Sequence, residues 1–209
     1  MREPAPTVCV VDDDPDVLKA IERLLQSVGL RVATFSSPQL FLEACDRSAP
    51  GCLVLDLALP GLTGLELQRV LEERAIALPI VFLTGRGDIA ASVQAMKHGA
   101  VDFLTKPVDD AALIAAIQEA LGKDQALRRL RDERDRVSNC LATLTGRERQ
   151  VLELIVAGRL NKQIAAQLGT VEKTIKFHRA NLMRKMGVRV VADLVKLAER
   201  AGVGRTPGN

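Results

Sequence analysis

Val8-Cys9-Val10-Val11 runs into Asp12 and Asp13, and Leu53-Val54-Leu55 runs into Asp56. Ile80-Val81-Phe82-Leu83 ends at Thr84, and the run around Phe103 and Leu104 ends at Lys106-Pro107. Three carboxylates, a hydroxyl and an ammonium suit one chemistry, the transfer of a phosphoryl group to a carboxylate. Asp56 is the candidate nucleophile, because a carboxylate can accept a phosphoryl group as an acyl phosphate. Asp12 and Asp13, together with Asp56, offer the hard oxygen ligands that Mg²⁺ favours. Lys106 would supply a cation to one phosphoryl oxygen, and the Thr84 hydroxyl would hydrogen-bond another. Taken singly, each is an ordinary turn or strand-end residue. Their recurrence at the ends of successive apolar runs is what distinguishes them.

Those runs must be strands for the residues to meet. Short apolar runs separated by helical stretches are the pattern of buried parallel strands in a βα repeat. Strands are expected at 7–11, 31–35, 52–56, 80–84 and 101–105. Asp14-Pro15 opens the first helix, with Asp14 as cap, and Gly29 stops it. Ser37 caps a second before Pro38, a third spans about 65–74, a fourth about 89–98, and a fifth begins near Asp109. Five such units with right-handed crossovers give an α/β, flavodoxin-like, doubly wound parallel sheet of order 2-1-3-4-5. Ligands of such sheets bind at the carboxyl ends of the strands, where Asp12, Asp13, Asp56, Thr84 and Lys106 lie.

The chain has 209 residues, and its charge is unevenly divided. Residues 1–121 hold 10 Lys+Arg against 17 Asp+Glu, whereas residues 122–209 hold 19 against 9. An acidic half followed by a basic half indicates two parts with different partners, nucleic acid being the candidate for the second. Cys9, Cys45, Cys52 and Cys140 show no metal-ligand or CxxC spacing and are expected as free thiols in a reducing cytosol. No uninterrupted apolar run approaches the roughly 20 residues that cross a bilayer, and residues 1–7 lack a leader's apolar segment, so a cytoplasmic location is expected.

Val10-Val11-Asp12-Asp13-Asp14, Leu53 to Gly61, Val81-Phe82-Leu83-Thr84-Gly85 and Asp102 to Pro107 resemble bacterial response-regulator receiver domains. The resemblance covers residues 7–121. It implies that a sensor histidine kinase phosphorylates Asp56, and that the backbone carbonyl of Ala58 completes the metal ligands. It further implies a switch coupling Thr84 to rotation of Phe103, and a cis peptide bond before Pro107. Two departures are Leu59, where the family usually has Met, and Val108, where an aromatic is commoner.

Residues 123–140 are highly charged and lack Gly and Pro, as in a helical linker. Leu127, Leu130, Arg134, Val137, Leu141 and Leu144 recur at spacings of three and four, which suits either a solvated spacer or a parallel dimer seam. Beyond it every pattern is helical. Thr145-Gly146-Arg147-Glu148 is a capping box, Asn161 is expected to cap the next helix, and Gly169-Thr170 turns into a helix from Val171 to about Met186. Two short helices across a glycine turn, the second rich in Lys and Arg, form a helix-turn-helix pattern. Residues 202–209 are expected to fray. The Thr145, Asn161 and Lys173-to-Arg179 stretches resemble the LuxR/NarL-type DNA-binding domain. With Gly85-Arg86-Gly87-Asp88-Ile89, the whole is similar to FixJ-type regulators.

In the recognition helix, Val171, Ile175, Leu182 and Met186 are expected to face inward. Glu172, Lys173, Lys176, Phe177, Ala180 and Arg184 are expected to face outward. Lys176 is the expected base-edge contact, while Lys162, Lys173, Thr174, Arg179 and Lys185 are expected on phosphates. Phe177 either packs on a thymine methyl in the groove or lies beneath its neighbours. The expected division is a receiver over 1–122, a linker over 123–140 and a DNA-binding domain over 141–209. The expected protein is not an enzyme but a transcription regulator using Mg²⁺, which forms a homodimer on phosphorylation and binds double-stranded promoter DNA. The rivals are a DNA-binding regulator that never uses phosphate and a Mg²⁺-dependent phosphohydrolase. A hydrolase of that kind needs a second carboxylate two residues after the nucleophile, where this chain has Ala58.

Overall fold

Two inner strands, Gly51–Asp56 and Ile80–Thr84, are buried throughout and carry apolar side chains without alternation up to their last residues, as parallel sheets covered by helices require. A computed structural model of the chain describes residues 5–85 and 89–203. In the first unit β1 (Thr7–Val11), α1 (Pro15–Ser27), β2 (Arg31–Phe35), α2 (Pro38–Ala44) and β3 (Gly51–Asp56) alternate. They are followed by α3 (Gly64–Glu73), β4 (Ile80–Thr84), α4 (Ile89–Lys97), β5 (Asp102–Thr105) and α5 (Asp110–Ala142). The sheet is parallel with order β2-β1-β3-β4-β5, as expected.

One face of the sheet packs on α1 and α5 through Leu18, Ile21, Leu25, Leu113 and Ile117. The other packs on α2, α3 and α4 through Phe41, Leu67, Leu71 and Ala95. Asp14 caps α1, accepting from the N–H groups of Asp16 and Val17, and Ser37 caps α2. Thr63 and Glu66 form a reciprocal capping box at α3.

The second unit is helical, with α6 (Gly146–Val156), α7 (Asn161–Gln167), α8 (Glu172–Lys185) and α9 (Val191–Arg200). Its core joins Val151, Leu152, Ile164, Ile175, Leu182 and Leu194 to Val137 from the end of α5. Contacts divide the chain between Arg128 and Arg129, inside the segment expected as a linker. That segment continues α5 without a break. Leu127 and Leu130 on the expected stripe are 44% and 64% exposed, whereas Val137 and Leu144 are buried in the second unit's core.

Two local expectations are corrected. Asn161 does not cap α7: the cap residue is Leu160, whose N–H donates to Gln163 Oε1 at 2.9 Å, and Asn161 Oδ1 instead accepts from Arg179. Val171 is not an inward residue of α8 but its cap residue, exposed because the helix starts one position later at Glu172. Residues 86–88 of the FixJ-like motif and residues 204–209 of the expected frayed end lie outside the described residues.

Candidate functional site

Strand register assembles the acidic residues. Val11 lies opposite Leu55, so Asp12 and Asp13 emerge from β1 beside the end of β3. Asp56 lies opposite Leu83, and Thr84 opposite Thr105. The Lys106 N–H then donates to the Thr84 carbonyl at 2.6 Å, which seats the lysine at the same edge. The Lys106-Pro107 bond is cis, as the resemblance implied.

Lys106 Nζ lies 2.5 Å from Asp12 Oδ2 and 3.4 Å from Asp56 Oδ2. Asp12, Asp56 and Thr84 are buried, while Asp13 is exposed. Burial pushes the Asp12 carboxyl above the usual Asp range, against the opposing pull of Lys106 and the Asp14 N–H. Burial alone would lower Lys106, but its bonds and charge contacts with Asp12 and Asp56 outweigh that and hold its pKa above the ordinary value. One ammonium thus faces three carboxylates and leaves the site with an excess of negative charge.

Those carboxylates can each direct an oxygen so that all three oxygens lie within 4.8 Å of one another. Asp56 Oδ1 is buried without a hydrogen-bond partner, an omission that costs about 1–3 kcal/mol when nothing compensates. Clustered hard oxygens, excess negative charge and an orphaned acceptor fit a bound Mg²⁺. Ala58 is exposed in the loop between β3 and α3 and puts no second carboxylate beside Asp56. Phe103 is partly buried, its ring tilted against Phe82 at 6.2 Å.

On α8, Ile175, Leu182 and Met186 are buried as expected, and Glu172, Lys173, Lys176, Ala180 and Arg184 are exposed. Phe177 is 64% exposed, so it does not lie beneath its neighbours; it meets only the edge of His178 among described rings. Lys162 is exposed and Thr174 half-buried. Arg179 is held by Asn161 at 2.8 Å, and Lys176 pairs loosely with Glu172 at 3.5 Å. Lys185 is committed inside the domain, bonded to Glu148 Oε2 at 2.6 Å and the Thr143 carbonyl at 3.0 Å.

Residues 8–118 match the response regulator receiver domain family, and residues 142–198 match the bacterial regulatory proteins of the luxR family. The chain belongs to the response regulators. It is 43% identical to the response regulator protein TodT of Pseudomonas putida over 200 residues, 96% of this chain and 88% of that protein. It is 44% identical to the transcriptional regulatory protein FixJ of Azorhizobium caulinodans over 196 residues, 94% of this chain and 93% of the relative. Among solved structures it resembles the response regulator StyR, with a TM-score of 0.89 and 46% identity over 94% of this chain and 100% of that one. A receiver joined to a luxR-family domain makes it a phosphorylation-activated transcription regulator of the FixJ type, not a member of an enzyme class. The receiver implies a histidine kinase as partner, and the second domain implies DNA. Among the described residues no helix is long and apolar enough to cross a membrane.

Three structural residues of the regulator escaped the sequence reading. Gln68 is buried and donates to the carbonyls of Ala95 and His98, tying α3 to α4. Asp124 and Arg128 fold back onto the turn before β3. A single Gln or a charged pair within a charged helix carries no local signal of such a partner.

Proposed function

We propose that Asp56 takes the phosphoryl group from the phosphohistidine of a sensor kinase. The P–N bond to the histidine breaks and a P–O bond to the Asp56 carboxylate forms. Asp12, Asp13, Asp56 and the Ala58 carbonyl would hold Mg²⁺, which when bound neutralises charge on the transferring group. Lys106 would contact one phosphoryl oxygen and the Thr84 hydroxyl another. Thr84, drawn toward the phosphoryl group, would let Phe103 rotate and change the surface formed by α4, β5 and α5. The modified receiver would then form a homodimer, with the exposed Leu127 and Leu130 stripe of α5 available as a seam.

In this reading the functional parts are a receiver over 1–122, a linker over 123–140 and a DNA-binding domain over 141–209, acting in the cytoplasm. Lys176 would read a base edge and Phe177 would pack on a thymine methyl. Lys162, Lys173, Thr174 and Arg179 would position α8 on phosphates. Lys185 would brace the start of α6 from within instead. The observation that carries the reading is the buried, unpartnered Asp56 oxygen beside Lys106 and Asp12. Incubation with acetyl phosphate and Mg²⁺, followed by Phos-tag electrophoresis, tests it. Asp56→Asn should abolish the shifted band, and undiminished phosphate incorporation by that variant would move the acceptor elsewhere.

A further inference from the structure

Past Leu121, α5 loses the apolar packing that holds it to the sheet. Leu113, Ala116, Ile117 and Ala120 are buried there, whereas Leu127 and Leu130 are exposed. Lys123, Ala126 and Leu127 face an open groove of about 460 Å³ shared with Leu71, Ile76 and Leu78. On this stretch a polar clamp does what packing does not. Asp124 is 3% exposed, and its Oδ2 accepts from the Gly51 N–H at 2.9 Å and from Arg128 Nε at 2.7 Å. The two nitrogens of the Arg128 fork donate to the carbonyls of Ser48, at 2.6 Å, and Ala49.

The clamped turn is where the strands bearing the acidic site begin. Thr7 N–H donates to the Pro50 carbonyl at 3.0 Å, and a Cβ on Gly51 would lie 2.0 Å from the Thr7 oxygen, so β1 and β3 are locked together there. At the other end β1 runs into Asp12 and Asp13, and β3 terminates in Asp56. All six residues of β3 are buried, making it a stiff connection about 17 Å long. A buried ion pair is a poor route to stability, since desolvation offsets the attraction. Fixing one arrangement is a use that suits it better.

We propose that Asp124 and Arg128 are positioning residues that couple the phosphoryl-acceptor strands to the outgoing half of α5. The inference rests on Asp56 being the acceptor. Breaking the clamp should leave phosphoryl transfer intact while the outgoing helix ceases to respond to it.

The test uses the full chain as wild type, Asp124→Asn, Arg128→Ala and Arg128→Lys, with phosphorylation by acetyl phosphate and Mg²⁺ read separately from amide hydrogen exchange over residues 129–142. Wild type should show a phosphorylation-dependent change in that exchange. Asp124→Asn and Arg128→Ala should accept phosphate within about twofold of wild type yet lose at least about threefold of the exchange response. Arg128→Lys, which keeps the charge but not the fork, should recover part of it. An undiminished response in both clamp variants overturns the proposal, as does an absent response in phosphorylated wild type. So does a lowered melting temperature with the response retained, the signature of a purely structural role. If a clamp variant fails to fold, Arg128→Lys decides: a full response overturns the proposal and a reduced one supports it. Failure of wild type to accept phosphate at Asp56 would instead sink the reading of the acceptor.

Discussion

Asp56 keeps a carboxylate oxygen out of water with nothing to bond it, beside a second buried carboxylate. In the absence of divalent metal, that oxygen is a source of instability held for function. Asp56→Asn is therefore expected to melt higher than wild type in EDTA, by about 1 kcal/mol of added stability. Millimolar Mg²⁺ should raise the wild-type melting temperature and leave the variant's almost unchanged, because binding to the native state stabilises it. Equal metal response in both proteins would contradict the assignment. Glu148 behaves oppositely. Its bonds from Lys185 and from the Thr145 N–H hold its pKa below the usual Glu range. A depressed folded pKa contributes stability above the unfolded value of about 4.3, and that contribution disappears as pH falls through the folded pKa. Melts of the second unit between pH 6 and pH 3 should thus show a steeper acid loss in wild type than in Glu148→Gln. The thiols on the sheet are silent by comparison: burial first, then neighbouring charge, pushes Cys9 to about 11 and Cys52 to about 12.

The proposed phosphate site rests on a close approach of α3 to β3. A Cβ on Gly64 would lie 2.5 Å from the Asp56 carbonyl oxygen and 3.2 Å from the Phe82 ring, so Ala at this position forces the helix start away. Gly64→Ala is expected to cost about 1–3 kcal/mol in denaturant unfolding and to slow phosphate incorporation at Asp56. Wild-type rates in that variant would show that the loop carrying Ala58 tolerates the shift. Elements like these were mostly legible from sequence. Asp14, Ser37 and Thr145 announce their helices because a side-chain acceptor at the start of a helix acts locally. Leu160 and Val171 offer no side-chain acceptor, so the two helices they cap start one residue from where Asn161 as a cap and Val171 as a helical core position would put them. The acidic site was legible because each member ends its own apolar run. Gln68, Asp124 and Arg128 were not: beyond the i,i+4 pair between the last two, the partners that fix their role lie 20 or more positions away and are main-chain atoms that every sequence contains.

Over the whole molecule, the excess of cations lies in residues 122–209 and the excess of anions before it. That division predicts a DNA affinity that falls with salt through the second unit. Lys173 is exposed at the start of α8, and Lys173→Ala should weaken binding to all duplexes alike while reducing the slope of log affinity against log salt by about 1. Sequence preference should survive this change; a changed preference would promote Lys173 to a base contact. The two functions also carry one unused optical handle each. The chain contains no Trp and no Tyr, so its ultraviolet emission is nearly dark. Phe103 sits tilted against Phe82 on the strand that leads to Lys106, and Phe177 stands in solvent on α8. An indole introduced at either ring would therefore be the molecule's sole fluorophore, giving each step a separate colourless background against which to be timed.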